Sequence, residues 1–261
     1  MSTALITGGS AGLGLEFARQ LAADQHDLVL VARSEERLHR VAEELSSAYG
    51  VAIEVLPADL STADGVARVA QRLAVVGGRP GEGDLRPVGL LVNNAGFTTS
   101  GNFVTGRVTT ERRGIAVMVT AVMELTHAAV GQMLERDRGA ILNVGSVAAL
   151  TAGGTYAAAK AYVRTFTDSL AVELKGTGVT ATLLSPGFMH TEFHARAGIA
   201  DAASSAVPSW GWLDVEDVVR QALADVRRGV VLSTPSVRYK VASAALRAAP
   251  RWAVRALGKY R

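Results

Sequence analysis

Thr3-Ala4-Leu5-Ile6-Thr7-Gly8-Gly9-Ser10-Ala11-Gly12-Leu13-Gly14 decides the fold of this chain. Residues 3–7 form a short apolar run, the composition of a buried strand. Glycines follow at 8, 12 and 14, and helical periodicity continues through Leu21. Strand, glycine turn and helix in that order expose backbone N–H groups at a helix N-terminus, where a phosphate can sit. The glycines alone are a weak signal, because every turn uses them.

The same alternation recurs downstream. Residues 27–32 read as a second strand. Ser34-Glu35-Glu36-Arg37 is a capping-type start for a helix to about Tyr49. Residues 51–56 read as a third strand leading to Asp59, and 61–75 as a helix. A loop with Gly77, Gly78, Pro80, Gly81 and Gly83 precedes a fourth strand at 88–92, which ends at Asn93-Asn94-Ala95-Gly96. A long helix is predicted over 111–136, a fifth strand over 140–144 leading to Ser146, and a helix through Tyr156 to about Lys175. A sixth strand covers 179–184 and ends at Pro186-Gly187. Asp214 caps a helix to about Arg227, and 230–233 is a last short strand. The strands are apolar without clean alternation, which argues a parallel sheet of about seven strands covered by helices on both faces, an α/β chain. No repeat or linker divides it, so residues 1–261 read as one domain.

Chemistry concentrates in Thr155-Tyr156-Ala157-Ala158-Ala159-Lys160. Tyr156 and Lys160 are one helical turn apart on one face. A free phenol has a pKa of about 10, and a nearby ammonium favours the phenolate. Lowering that pKa by roughly three units takes about 4 kcal/mol of differential stabilisation. Tyr-x-x-x-Lys also arises by chance on surface helices, so its weight depends on its surroundings. Those surroundings are ordered: the glycines follow strand one, Arg33 strand two, Asp59 strand three, Asn93–Gly96 strand four, Ser146 strand five and Pro186-Gly187 strand six. In an open parallel sheet all of these lie along one ligand-binding edge.

Composition sets the outer bounds. The 261 residues are 49% hydrophobic and 20% charged, enough for a full core. There is no Cys, so disulfide and thiolate chemistry are excluded. No basic stretch precedes an apolar run at the N-terminus, and the apolar stretch around 115–123 is short for a bilayer. A cytoplasmic protein is the expectation. Of the 27 Lys and Arg, seven lie in 236–261, which has no acid. The other 235 residues hold 20 cations against 24 acids, a charge of −4. The basicity belongs to the tail, so no nucleic-acid partner is expected.

The ordered set Thr7-Gly8-x-x-x-Gly12-x-Gly14, Asn93-Asn94-Ala95-Gly96, Ser146, Tyr156-x-x-x-Lys160 and Ser185-Pro186-Gly187 resembles the short-chain dehydrogenase/reductase family over residues 1 to about 235. The resemblance implies a Rossmann-type doubly wound sheet, a nicotinamide cofactor and reversible hydride transfer between a carbonyl and an alcohol. It implies Tyr156 as general acid or base. Lys160 would hold the nicotinamide ribose and depress the phenol pKa, and Ser146 would hydrogen-bond the substrate oxygen. It implies cofactor contacts at Gly8, Ser10, Gly12, Leu13, Gly14, Asp59 (adenine), Leu60, Asn94, Ala95, Gly96, Tyr156, Lys160, Pro186, Gly187 and Thr191. For Asn93 the reading is structural, a side chain tying adjacent strands. The family also forms dimers or tetramers through its long helices.

The second strand bears on the cofactor. An NAD enzyme of this fold places an acid about 20 residues after the glycines. Here Ala32 holds that place, followed by Arg33, whose guanidinium can grip a 2′-phosphate. NADP(H) is therefore expected over NAD(H). The competing reading makes Arg33 a solvated loop charge, with both cofactors tolerated.

Two departures from the family pattern matter. Aligning Val117-Met118-Val119-Thr120-Ala121 with the long-helix motif puts Met118 where the family usually has a catalytic asparagine. A thioether cannot donate a hydrogen bond. Ser146 and Tyr156 are also only ten positions apart, so the loop 148–155 must be tight. Residues 189–208 stand where the family has a mobile substrate lid, and Phe188, Phe193, Trp210 and Trp212 could line an apolar pocket or anchor the next helix. His190 and His194 have metal-like i, i+4 spacing without a third ligand nearby, so no metal is expected.

In the tail, Arg247, Arg251, Arg255 and Lys259 recur every four residues, and Pro250 starts a second helix. Such a helix can touch anionic lipid peripherally, dock on the body or on a second subunit, or remain solvated. The expectation is an NADP(H)-dependent carbonyl reductase or alcohol dehydrogenase acting on a fairly apolar small molecule. The alternative is a dinucleotide-binding protein with weak or no turnover, a redox sensor or scaffold.

Overall fold

The computed structural model describes residues 2–76, 86–98, 103–189 and 208–257. Its strands are β1 (Thr3–Thr7), β2 (Asp27–Ala32), β3 (Ile53–Pro57), β4 (Val88–Asn93), β5 (Gly139–Val144), β6 (Val179–Leu184) and β7 (Leu232–Ser233). They form one sheet in the order β3-β2-β1-β4-β5-β6-β7. Every pairing is parallel. The winding reverses between β1 and β4, which opens a crevice at their carboxyl ends. This is the Rossmann-type architecture expected from the sequence.

Successive residues of β1 and β2 point to opposite faces, and both faces are covered. Ile6, Leu28 and Leu30 join a core with Phe17, Leu21, Leu38, Val219 and Leu223. Leu5, Val29 and Val31 join a second core with Val69, Leu73, Leu125, Ala129 and Met133. Burial on both sides explains why these strands read as continuous apolar runs.

The helices are α1 (Gly12–Ala23), α2 (Glu35–Tyr49), α3 (Ala63–Leu73), α4 (Val108–Ile115), α5 (Ala121–Glu135), α6 (Gly154–Glu173), α7 (Val215–Arg227), α8 (Val237–Ala248) and α9 (Arg251–Leu257). Ser34, Thr62 and Asp214 cap α2, α3 and α7 with their side chains. Pro250 separates α8 from α9, as expected.

Three expectations need adjustment. The third strand begins at Ile53 because Gly50, at φ +70°, turns the chain out of α2 first. The long helix starts earlier, at Val108, and contains a π turn at Ala116–Thr120 between α4 and α5. At 28 residues, Val108–Glu135 is long and apolar enough by composition to cross a membrane. Its face carrying Val117, Ala121, Leu125, Ala129 and Met133 is instead packed into a sheet-bearing core. The Gly/Pro loop of 77–85 and the lid residues 190–207, with Thr191, His190, His194 and Phe193, lie outside the described residues.

Candidate active site

The turn after β1 is shaped by close packing. Gly8 has φ +70°, and its N–H donates to the Val31 carbonyl at 2.7 Å. A Cβ on Gly14 would fall 2.1 Å from the Gly8 carbonyl oxygen and 2.5 Å from Asn94 Nδ2. Only glycine lets α1 start directly beneath the turn. Ala11 at its N-cap supplies no side-chain acceptor. The first N–H groups of α1 therefore suit an anion, and the residues present fit a dinucleotide's phosphates. Ser10 is half-buried in the turn, and Leu13 is buried in the core behind it.

β4 ends against this turn. Asn94 Nδ2 donates to the Thr7 carbonyl at 2.9 Å, and the Asn94 and Ala95 N–H groups each donate to Thr7 Oγ1 at 3.0 Å. Asn94 thus holds β1 and β4 in register where a cofactor would cross them. Asn93 has the structural role expected: its Nδ2 donates to Thr126 Oγ1 at 3.0 Å and Asn143 Oδ1 at 2.9 Å. Asn143 passes the ladder on to Thr167 at 3.0 Å.

Gly96 leads to the reactive groups. A Cβ there would lie 3.4 Å from Met118 Cγ and 3.7 Å from Lys160 Nζ. Met118, 1% exposed, therefore forms an apolar wall beside the Lys160 amine. Lys160 Nζ donates to the Val144 carbonyl at 2.7 Å and lies 5.9 Å from the centre of the Tyr156 ring. Tyr156 is hydrogen-bonded to Ser146. Ser146 Oγ also accepts from the Ala148 N–H at 3.1 Å, capping a 3-10 turn at Val147–Leu150. That turn supplies the tight connection demanded by the ten-residue spacing. Tyr156, Lys160 and Ser146 therefore converge, as their order along the chain predicted.

The electrostatics differ from expectation. Burial pushes the Tyr156 phenol up to about 12, against the lowering effect of its Ser146 hydrogen bond. Burial pushes Lys160 down to about 8. Proximity of an ammonium favours the phenolate, whereas burial of the phenol opposes it. Desolvation is the larger effect here.

Arg33 is exposed at the carboxyl end of β2, and its charge reaches Asp59 after β3. Burial works to raise the Asp59 pKa. Hydrogen bonds from the Ser61 N–H and hydroxyl, then the charges of Arg113 and Arg33, hold it below the usual carboxylate value. Asp59 Oδ2 pairs with Arg113 at 3.2 Å. Leu60 is buried in the second core.

Pro186 and Gly187 close the edge after β6, where the Val147 N–H donates to the Pro186 carbonyl at 3.1 Å. A Cβ on Gly187 would fall 2.0 Å from Cζ of Tyr239, a residue of α8. The Tyr239 hydroxyl accepts from the Phe188 N–H at 3.1 Å and donates to the Gly211 carbonyl at 2.7 Å. The Leu213 N–H donates to the Phe188 carbonyl at 2.9 Å, and Trp212 packs on Phe188 with ring centres 5.9 Å apart. Tyr239 thus braces both segments flanking 190–207. Sequence reasoning missed it, because nothing local links position 239 to 187. Trp212, with Gly12, Leu15, Ser209 and Leu213, also lines a groove beside α1 that Ser146, Tyr156 and Lys160 do not border. Trp210 is 63% exposed, whereas Trp212 is half-buried against Phe188.

Comparison with known proteins agrees with this geometry. The family described as short chain dehydrogenase matches residues 2–201. The chain belongs to the short-chain dehydrogenase family. Membership carries the oxidoreductase class and the Rossmann-type nucleotide-binding fold. A ketoacyl reductase of Nostoc sp. is 34% identical over 191 residues, 72% of this chain and 63% of that protein. The chain therefore spans less than two thirds of that relative's length. A short-chain dehydrogenase of Sphingobium yanoikuyae, solved in complex with NADPH, superposes with a TM-score of 0.81 at 31% identity, covering 100% of this chain and 97% of its own. The bulky-bulky ketone specific alcohol dehydrogenase of Comamonas testosteroni gives a TM-score of 0.78 at 27% identity, covering 100% and 95%.

Proposed function

We propose that this short-chain dehydrogenase is an NADP(H)-dependent enzyme that interconverts a fairly apolar carbonyl compound and its alcohol. One observation carries the reading: the Ser146–Tyr156 hydrogen bond stands beside the Lys160 amine, which reaches the glycine turn through Gly96 and Asn94. A bound nicotinamide dinucleotide supplies or takes up the hydride. Gly8, Ser10 and the N-terminus of α1 would hold its phosphates, with Asp59 and Leu60 near the adenine end and Asn94 to Gly96 along its length.

The protein's own groups manage the proton and the charge. At neutral pH the Tyr156 phenol holds its proton and is the acid for a nascent alkoxide. The Ser146 hydroxyl donates to the oxygen where negative charge grows. Lys160, still protonated below about pH 8, stabilises the phenolate left behind. The resting charge states therefore suit reduction.

Three observations support the finer points. Ala32 stands where an NAD enzyme would carry an acid, and Arg33 next to it is exposed. The Sphingobium relative was solved with NADPH. The Nostoc and Comamonas relatives are named for ketoacyl and bulky ketone substrates. A panel of β-ketoacyl esters and bulky aryl ketones assayed with NADPH and NADH tests the proposal. Oxidation of NADPH in preference to NADH is expected. Dinucleotide binding without turnover on any carbonyl would instead favour a sensor or scaffold, a reading that the apolar Met118 wall keeps open.

A further inference from the structure

Helix α8 meets the body through one narrow face. Tyr239, Ser243 and Leu246, spaced by four and three, are its buried or half-buried positions. Val237 and Val241 point the other way, 75% and 66% exposed. At roughly 100° per residue, Val237, Val241, Ala244 and Ala248 all project within roughly 50° of straight outward. Arg238 flanks this stripe on one side, and Lys240 and Arg247 flank it on the other. In helix α9, Val254 is buried and Trp252, on the opposite side, is 70% exposed, with Arg251 and Arg255 both along one flank of it.

Single exposed apolar residues are ordinary. An apolar crest along two consecutive helices, bordered by cations and free of acids, is a surface with a chemical preference. The 236–261 segment carries seven cations and no carboxylate side chain, against a body of net −4. Arg247 also stands near enough to Arg164 of α6 to lower its pKa, after burial and against the opposing pull of Asp168. A second copy docked symmetrically here would oppose like charges. A nucleic acid would meet valine and tryptophan at the crest, where phosphates need cations. A lipid headgroup layer suits both parts, with phosphates for the flanks and an apolar boundary for the crest.

We propose that α8 and α9 seat this protein on the surface of an anionic membrane, with Val237, Val241 and Trp252 entering the headgroup boundary. Arg238 extends the face onto the segment before α7: its guanidinium lies 5.7 Å from the exposed Trp210 ring and donates to the Trp210 carbonyl. Helix α8 also packs against the 3-10 turn that follows Ser146. The helix that carries the crest is thus seated, by its opposite face, on the segment that leads from Ser146 toward Tyr156.

The test is co-sedimentation of the full chain with phosphatidylcholine vesicles, plain or with about a third phosphatidylglycerol. Binding to the anionic vesicles only, weakened by added salt, is expected. The Val237→Asp/Val241→Asp variant should lower the bound fraction about tenfold, and Lys240→Glu/Arg247→Glu should abolish it. Both variants should keep the parent's melting temperature and far-UV circular dichroism. Vesicle partition does not depend on turnover, so this result stands or falls apart from the enzymatic reading. Equal binding to neutral vesicles, no binding to either, or variants that sediment like the parent would overturn the proposal. So would light scattering showing that the valine variants split a dimer.

Discussion

The Lys160 amine stands 5.9 Å from the centre of the Tyr156 ring and gives an N–H to the Val144 carbonyl at 2.7 Å. Burial moves both groups away from charge, Tyr156 up to about 12 and Lys160 down to about 8. Between about pH 8 and 10.5 the unfolded chain binds more protons at Lys160 than the folded one, so stability rises with pH there. Tyr156 acts in the opposite sense and only above pH 10, its usual value. A Lys160→Met variant should thus melt higher than the parent at pH 7, and the gap should narrow by pH 10. Thermal melts of the cofactor-free proteins at the two pH values check this; a constant gap would contradict it.

Tyr156→Phe keeps the ring and removes the proton donor. We expect kcat to fall by roughly 10²–10⁴, the usual span for losing a general acid. The melting temperature should change little, because one hydrogen bond to Ser146 is worth about 1 kcal/mol. Steady-state kinetics beside a melt separate the two effects. Retained turnover would remove Tyr156 from the mechanism.

Met118 walls the Lys160 amine with carbon and sulfur. Met118→Asn would put a donor and an acceptor there and give water a partner. The expected result is a higher kcat and an activity profile whose limb near pH 8 moves to higher pH, as Lys160 regains solvation. An unchanged or lower kcat with an unchanged profile would show that proton supply does not pass this residue.

Arg33→Ala should raise the KM for NADPH by roughly 10–100-fold, the range for losing a hydrogen bond to a charged group. The KM for NADH should hardly move. Equal changes for both cofactors would mean that Arg33 acts through Asp59, whose charge it already feels.

Much of the fold is legible in the sequence. Leu5, Val29 and Val31 read as buried strand because both faces of a parallel sheet are covered, and Tyr156 and Lys160 read as neighbours because a helix fixes their spacing. The π turn around Met118 left no mark, since the choice between i→i+4 and i→i+5 bonding is settled by packing. Adjacency in a helix shows the charge beside Tyr156 and hides the depth of burial that pushes its phenol up. Tyr239 was invisible because its partners are brought to it by the whole sheet.

That last contact changes how the carboxy-terminal segment should be handled. The Tyr239 ring occupies the space a side chain on residue 187 would need, and its hydroxyl bridges Phe188 and Gly211. A chain cut before residue 237 would lose the wedge behind the loop after β6 as well as its cations. Kinetics of shortened and intact forms would then mix a loss of anchoring with a reshaped chamber. Tethering the protein to a support through its C-terminus would pull on the same wedge, so immobilisation is better made through the carboxyl end of α2, at the edge of the sheet opposite the strands' carboxyl ends.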